Sequence, residues 1–369
     1  MDGLGAKYKN LEDFEHLRDC LSLRYDMKAD MDAKQYVGID LEWDYVSRAL
    51  DCSMDEYIGT ALKESEHALP KQMFHAPSKL ERPEYGARVQ YIEDDMTRKL
   101  TKEEIKRIQK VIGKFLFLAR AVDNTILHAL NELACDVSEG TQKTLEAALY
   151  LLNYIACNPK PKIRFHASDM KLLIDSDAAF HARPKGRSRA GGYFYLGSKN
   201  NEQLNAPIFV LAKVIKGVMD SAAEAEVAAI HMNAKEAIPI RQCLEEMGWV
   251  QPPARARAGN ATAKGFVNNT IKPKRSKTFD RQFWWLKDRE EQKHFEIAWE
   301  AGIYNLAGYP TKHHFSTHHK KVRPIYLHEE GRSPRTIKEC EAILASLKPT
   351  KKAMSVIKNY KCLLAAAAA

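Results

Sequence analysis

The 369-residue chain has no apolar run that reaches the length of about 20 residues a bilayer demands. Its most apolar segments are interrupted by charge, at Lys114 and Arg120 and again at Lys213 and Lys216. No transmembrane segment is expected, and the protein reads as soluble or peripheral. The first residues, MDGLGAKYKN, show neither a signal-peptide nor a transit-peptide pattern. Cysteine is sparse. Seven residues, at positions 20, 52, 135, 157, 243, 340 and 362, form no Cys-x-x-Cys pair and are odd in number. That argues against a disulfide framework and a zinc site, and for a reducing compartment: cytoplasm, nucleus or organelle stroma. Internal repeats are absent as well.

What is present is ordinary globular composition with unevenly placed charge. Hydrophobic residues make up 45% and charged residues 28%, and the length suggests two or three domains. Lys and Arg number 57 against 48 Asp and Glu, a net +9. Residues 251–328 hold fifteen Lys or Arg and six Asp or Glu, so this stretch carries the whole excess. A basic face of this kind suits a polyanionic partner such as nucleic acid, or an acidic protein surface. A solvated basic face is the alternative. The chain ends in LLAAAAA, either a real tail or placeholder residues.

Spacing predicts the elements. Residues 36–45 alternate apolar and polar side chains and read as a strand, and 53–65 read as a helix with Ser53 as N-cap. Residues 66–100, with Pro70, Pro77, Pro83 and Gly86, form a connector. Thr101-x-x-Glu104 is a capping box opening a helix to about Phe117. Further helices are expected at 120–135 and 141–156. Three strands follow, at 163–177, 191–198 and 205–214. A long helix at 221–247 is closed by Gly248. A strand at 254–258, helices at 260–269 and 278–293, a strand at 294–299, a short helix near Tyr304–Leu306 and a tail helix at 336–347 complete the chain. The expected domains are 1–162, mostly helical; 163–330, α/β with a mixed sheet; and a tail, 331–369.

Two acidic groups stand out for metal-assisted nucleic-acid chemistry, which needs carboxylates converging on ions about 3.5–4 Å apart. Asp175 and Asp177 share one strand face. Ser221-x-x-Glu224 is another capping box, which gives Glu224 a structural role and leaves Glu226 as the better ligand candidate.

Asp177-Ala178, Pro184 to Gly192 (PKGRSRAGG) and Ser221 to Glu226 (SAAEAE) resemble, in order, the ribonuclease H domain of copia-type retrotransposon polyproteins. So do Gly259-Asn260-x-Thr262-Ala263, Arg275-Ser276-Lys277, Asn305-Leu306-Ala307-Gly308-Tyr309 and Thr311-Lys312-His313-His314. The likeness is dense over about 165–330. It extends upstream through Gly38-Ile39-x-Leu41-Glu42-Trp43-Asp44-Tyr45, similar to the thumb and connection regions of the family's reverse transcriptase. The resemblance implies a ribonuclease H-like mixed sheet flanked by helices, preceded by a mainly helical thumb/connection-like region. It implies cleavage of RNA in RNA–DNA hybrids by two magnesium ions held on four carboxylates. By motif these fall on Asp177, Glu226, Gly259 and Gly308.

The last two positions are glycine, which supplies no side-chain oxygen. Coordination and electrostatic stabilisation are most of such catalysis. The expectation is a pseudoenzyme in which Asp177 and Glu226 are a remnant, with no stably bound metal and no cofactor, magnesium entering only if residual nuclease activity survives. Asp169, Asp175 and Asp280 are not expected to replace the lost ligands. Tyr91-Ile92-Glu93-Asp94-Asp95 has one residue too many for a polymerase Tyr-x-Asp-Asp turn and sits in the connector. The palm and fingers are accordingly expected before residue 1. Arg187, Arg189, Lys272, Lys274, Arg275 and Lys277 are the candidate contacts for nucleic acid or an acidic partner. His313-His314 and His318-His319 lack the rest of a metal set. Phe283-Trp284-Trp285 reads either as core or as a base-stacking run. The functional expectation is a domesticated, non-catalytic structural or linker subunit of a larger assembly, in an algal organellar or photosynthetic setting. The alternatives are a residual hybrid ribonuclease H and a non-cleaving hybrid-binding protein.

Overall fold

The computed structural model describes residues 4–6, 8–80, 95–198, 203–259, 277–299 and 302–347, with backbone alone at 277–280 and 303. Several sequence expectations lie outside these residues: the helix at 260–269, the side chains of Lys272, Lys274, Arg275 and Lys277, the 91–94 part of the Tyr-x-Asp-Asp-like run, and the terminal alanines.

The chain divides into two compact units by contact. In the first, helix α1 (Leu11–Ser22) precedes strands β1 (Gln35–Tyr36), β2 (Ile39–Asp44) and β3 (Ala49–Ser53). Helices α2 (Asp55–Glu64), α3 (Lys102–Ala121), α4 (Leu127–Asp136) and α5 (Gln142–Cys157) follow, and then β4 (Lys162–His166). The capping box at Thr101 forms: Glu104 N donates to Thr101 Oγ1 and Thr101 N donates back to Glu104 Oε2. From it α3 buries Ile108, Val111, Phe115 and Leu118, a helical spacing of three and four. Each contributes roughly 1.5–3 kcal/mol relative to exposure.

β4 corrects two expectations. It was expected to open the first strand of the mixed sheet and so to belong to the second domain. Instead it pairs antiparallel with β3, Leu50 opposite Phe165, and completes a β1-β2-β3-β4 sheet. Its Arg164 meets the buried Asp51 at 2.5 and 2.7 Å. The division therefore falls after Ala167, not after residue 162, with Tyr326–Glu330 returning to the first unit, which holds a four-stranded sheet beside its helices.

The second unit contains β5 (Lys171–Arg183), β6 (Arg187–Gly197), β7 (Pro207–Val218), α6 (Ala222–Glu246) and β8 (Ala254–Ala258). Helix α7 (Lys277–Glu291), β9 (Phe295–Trp299), a 3-10 turn (Leu306–Thr311), α8 (Ser316–Tyr326) and α9 (Ile337–Ser346) complete it. Strand order is β7-β6-β5-β8-β9. β7, β6 and β5 are mutually antiparallel, whereas β8 runs parallel to β5 and β9 parallel to β8. This is a mixed α/β sheet, as the resemblance implies.

Side-chain alternation assigns the two faces of the sheet. Leu172, Ile174, Ala256 and Ala258 join the core with Ala225, Ala228, Ala229 and Ile230 of α6. Asp175 and Asp177 point the other way, toward the 3-10 turn. The Gly191-Gly192 pair in β6 follows from the same alternation. A Cβ on Gly191 would lie 2.5 Å from Ala307 O, and one on Gly192 would lie 2.0 Å from Asn233 Oδ1 of α6. The turn and the helix both approach the sheet so closely at this point that neither side admits a side chain.

Candidate functional site

The site lies at the middle of β5, where the neighbouring β8 ends, beside the start of α6. β5 and β8 pair Asp175 with Arg257 and Ser176 with Ala258, which brings Gly259 alongside Asp177. A Cβ on Gly259 would lie 3.8 Å from Asp177 Oδ1, and one on Gly308 would lie 3.7 Å from Asp177 Oδ2. One glycine therefore flanks each carboxylate oxygen. Neither adopts a positive φ, so the backbone does not require glycine at either position. The only tight approach is 3.3 Å between a Gly259 Cβ and Gly302 Cα.

Helix α6 supplies the fourth position. Ser221 Oγ accepts from Glu224 N at 3.2 Å, and Glu224 Oε2 accepts from Asp220 N at 2.8 Å, so Glu224 is occupied as a cap. Glu226, 8% exposed, stands near Asp177. Burial, and then the Asp177 charge, push its carboxyl up to about 8, against the Ala178 N–H and the Lys312 ammonium. Its Oε2 is buried without a hydrogen-bond partner. Burial likewise raises Asp177, eased by Lys312 and by the Thr311 hydroxyl, which donates to Asp177 Oδ2 at 3.0 Å. Sequence reading included Thr311 and Lys312 in a motif without a role. The structure places both at the cleft.

A prediction follows for Glu226. Its folded value of about 8 exceeds its ordinary 4.5. The native state thus holds a proton that the unfolded chain releases. Stability is undiminished below about 4.5 and is lost as pH rises through about 8. Glu226→Gln is expected to stabilise the protein at pH 8 by about 1–3 kcal/mol, several degrees in Tm for a domain of this size. The gain should vanish near pH 4.5. Thermal melts across pH 4–8 test it, and equal wild-type and variant slopes refute it.

Asp175, fully buried, takes a structural role. Arg257 Nε and Nη2 donate to its oxygens at 2.6 and 3.0 Å, and Nη2 also donates to Tyr195 Oη at 3.0 Å. Leu306 N donates to Asp175 Oδ2 at 3.0 Å, and Asn305 Nδ2 donates to Ser176 O at 2.7 Å. These bonds fasten the turn that carries Gly308 and Thr311 onto β5.

The expected basic contacts separate. Arg187 is partly exposed at the start of β6. Arg189 is 0% exposed because β6 is a central strand covered on both faces, which removes it from any surface contact. Phe283 is core, 3% exposed, whereas Trp284 is 59% exposed with Lys287 Nζ 5.3 Å from its ring centroid. The motif is part core and part surface.

Of the four motif positions, Asp177 and Glu226 supply carboxylates, and Gly259 and Gly308 supply no side-chain oxygen. Among the described residues, no group of three or more His, Cys, Asp or Glu is placed to hold a metal.

No protein-family profile matches the chain. It is 22% identical over 310 residues to a retrovirus-related Pol polyprotein from transposon TNT 1-94 of Nicotiana tabacum, covering 80% of this chain and 22% of that one. The chain thus spans about a fifth of the length of this relative. Among solved structures it is similar to a ribonuclease H1 isolated from compost (14% identity, 38% of this chain and 92% of that, TM-score 0.30). It is also similar to ribonuclease H1 of Halobacterium salinarum (13%, 37% and 90%, TM-score 0.26) and to the prototype foamy virus protease-reverse transcriptase (15%, 36% and 17%, TM-score 0.25). The second unit carries the mixed sheet flanked by helices that the sequence resemblance implies, in a chain similar to a retrotransposon Pol polyprotein.

Proposed function

We propose that the chain is a non-cleaving, domesticated ribonuclease H-like protein serving as a structural or linker subunit of a larger assembly. The observation that carries this reading is the pair of glycines flanking the two oxygens of Asp177. They sit where carboxylates would complete a two-ion site, and two-ion hydrolysis depends on those ligands. Asp177 and Glu226 remain as a buried pair tempered by Lys312. The test has two arms. An RNA–DNA hybrid incubated with the full chain in magnesium or manganese should remain intact. The chain should co-purify stoichiometrically with a protein assembly free of nucleic acid, of which an algal organellar or photosynthetic complex is one setting. Cleavage that disappears in Asp177→Asn refutes the non-cleaving reading and restores that of a residual ribonuclease H.

A second reading, a hybrid-binding protein that does not cut, is favoured by one observation. Lys312, Lys320 and Lys321 are exposed, and among the described residues none makes an ion pair. Exposed cations, of which Lys312 acts on the cleft carboxylates, suit phosphates. Tight hybrid binding whose log affinity falls steeply with log salt would support it.

A further inference from the structure

A column of rings stands beside the cleft. His314 stacks on Tyr309, with centroids 4.5 Å apart and planes 9° apart, and on His318 at 4.7 Å and 13°. The inner part of the column is held firmly. Tyr309 Oη and His319 Nδ1 are 2.6 Å apart, and His314 Nε2 lies 3.0 Å from Tyr309 O. His318 is the outermost ring. It is partly exposed. Among the described residues it has the His314 stack alone, with no second ring and no hydrogen bond.

Its surroundings are cationic. Lys312 and Lys321 both act electrostatically on His318, and Lys312 also acts on Asp177 and Glu226. The column therefore adjoins the cleft on its lysine side. Burial lowers His314 to about 3, and His318 in the same direction, so at neutral pH these are uncharged flat rings flanked by exposed ammonium groups. A partner that matches them presents a planar π-face with negative charge next to it.

We propose that the outer face of His318 is a stacking site for an unpaired nucleobase of single-stranded nucleic acid, with Lys312 and Lys321 holding the adjoining phosphates. Bases stack on histidine as on other aromatic side chains, and the stack is tolerant of sequence because every base has a π-face. The assignment does not depend on the scaffold reading. It differs from hybrid binding because the bases of a duplex are already stacked on one another.

The test is fluorescence anisotropy with the full chain and a labelled oligodeoxythymidine of about 12 nucleotides, within the span of one binding module. An RNA–DNA hybrid serves as the parallel probe. Loss of one stacked base is expected to weaken single-strand binding about 5- to 150-fold in His318→Ala, with hybrid binding unchanged. His318→Phe, which retains a ring, should restore wild-type affinity. Lys321→Ala tests the site without touching the column, and the salt slope should become shallower by about 0.7. The proposal is overturned by wild-type affinity in His318→Ala, by an unchanged slope in Lys321→Ala, or by a chain that binds hybrid but not the single strand. Single-strand binding without hybrid binding would sustain this site while removing the hybrid-binding reading.

Discussion

Gly259→Asp combined with Gly308→Asp is expected to confer magnesium-dependent hybrid cleavage on a chain proposed not to cleave. Both Cβ positions lie within 4 Å of an Asp177 oxygen, at 3.8 and 3.7 Å, so both new carboxylates enter the space that Asp177 and Glu226 already border. Neither backbone site has a positive φ, and only the 3.3 Å approach of Gly302 Cα to position 259 requires a small local shift. Removal of a single electrostatic contributor in comparable sites costs about 10²–10³ in rate, and groups that act as a unit are strongly non-additive. Each single substitution should therefore do little, with the gain appearing in the double variant. A second readout does not depend on turnover. Without metal, four crowded carboxylates should leave the double variant less stable than the wild type. Magnesium at about a hundredfold over its Kd should return about 2.7 kcal/mol, or roughly 5–10 °C in Tm, and should leave the wild type unmoved. A double variant that folds but neither shifts with magnesium nor cuts would show that the pocket has lost more than its two carboxylates.

The second large effect concerns the ion pair beneath the site. Asp175 is 0% exposed and Arg257 is 8% exposed. They meet through two hydrogen bonds, with Leu306 N on the same carboxylate. Removal of one member leaves the other as an uncompensated buried charge. Arg257→Leu is expected to destabilise the domain by about 3–5 kcal/mol, or about 6–20 °C in Tm. Asp175→Leu should do the same and should also release the 306–311 turn from β5. Replacement of both together, Asp175→Leu with Arg257→Leu, should cost less than either single change, because apolar residues of similar volume often match a buried pair. Chemical denaturation of the three variants closes a double-mutant cycle. A double variant as damaged as the sum of the singles would mean that the pair is not coupled.

Much of this architecture was legible in the chain itself. Helix starts at Thr101 and Ser221 were readable because a capping box is a local device, complete within four residues. The strand at 254–258 was bounded by Pro252-Pro253 on one side and by Gly259 on the other. The ordered motifs from Asp177 to His314 pointed to the ribonuclease H-like sheet and to the two glycines at carboxylate positions.

Pairing over distance was not legible. Alternation tells which face a strand residue takes but not what waits there. Asp175 and Asp177 looked equivalent, two residues apart on one face. Tertiary structure gave Asp175 an arginine 82 residues away and left Asp177 in the cleft with Thr311 and Lys312. Arg189 looked like a surface cation until its strand proved to be central. The 162–166 strand looked like the start of the mixed sheet until its ladder formed with β3. Composition, periodicity and capping are properties of neighbouring residues, and the sequence by itself indicated most of the elements and, by resemblance, two glycines at carboxylate positions, but not β3, α8 or the break between β4 and β5. Which charge is paired, which is buried and which stays free depends on contacts across many tens of residues, and only the folded chain decided that.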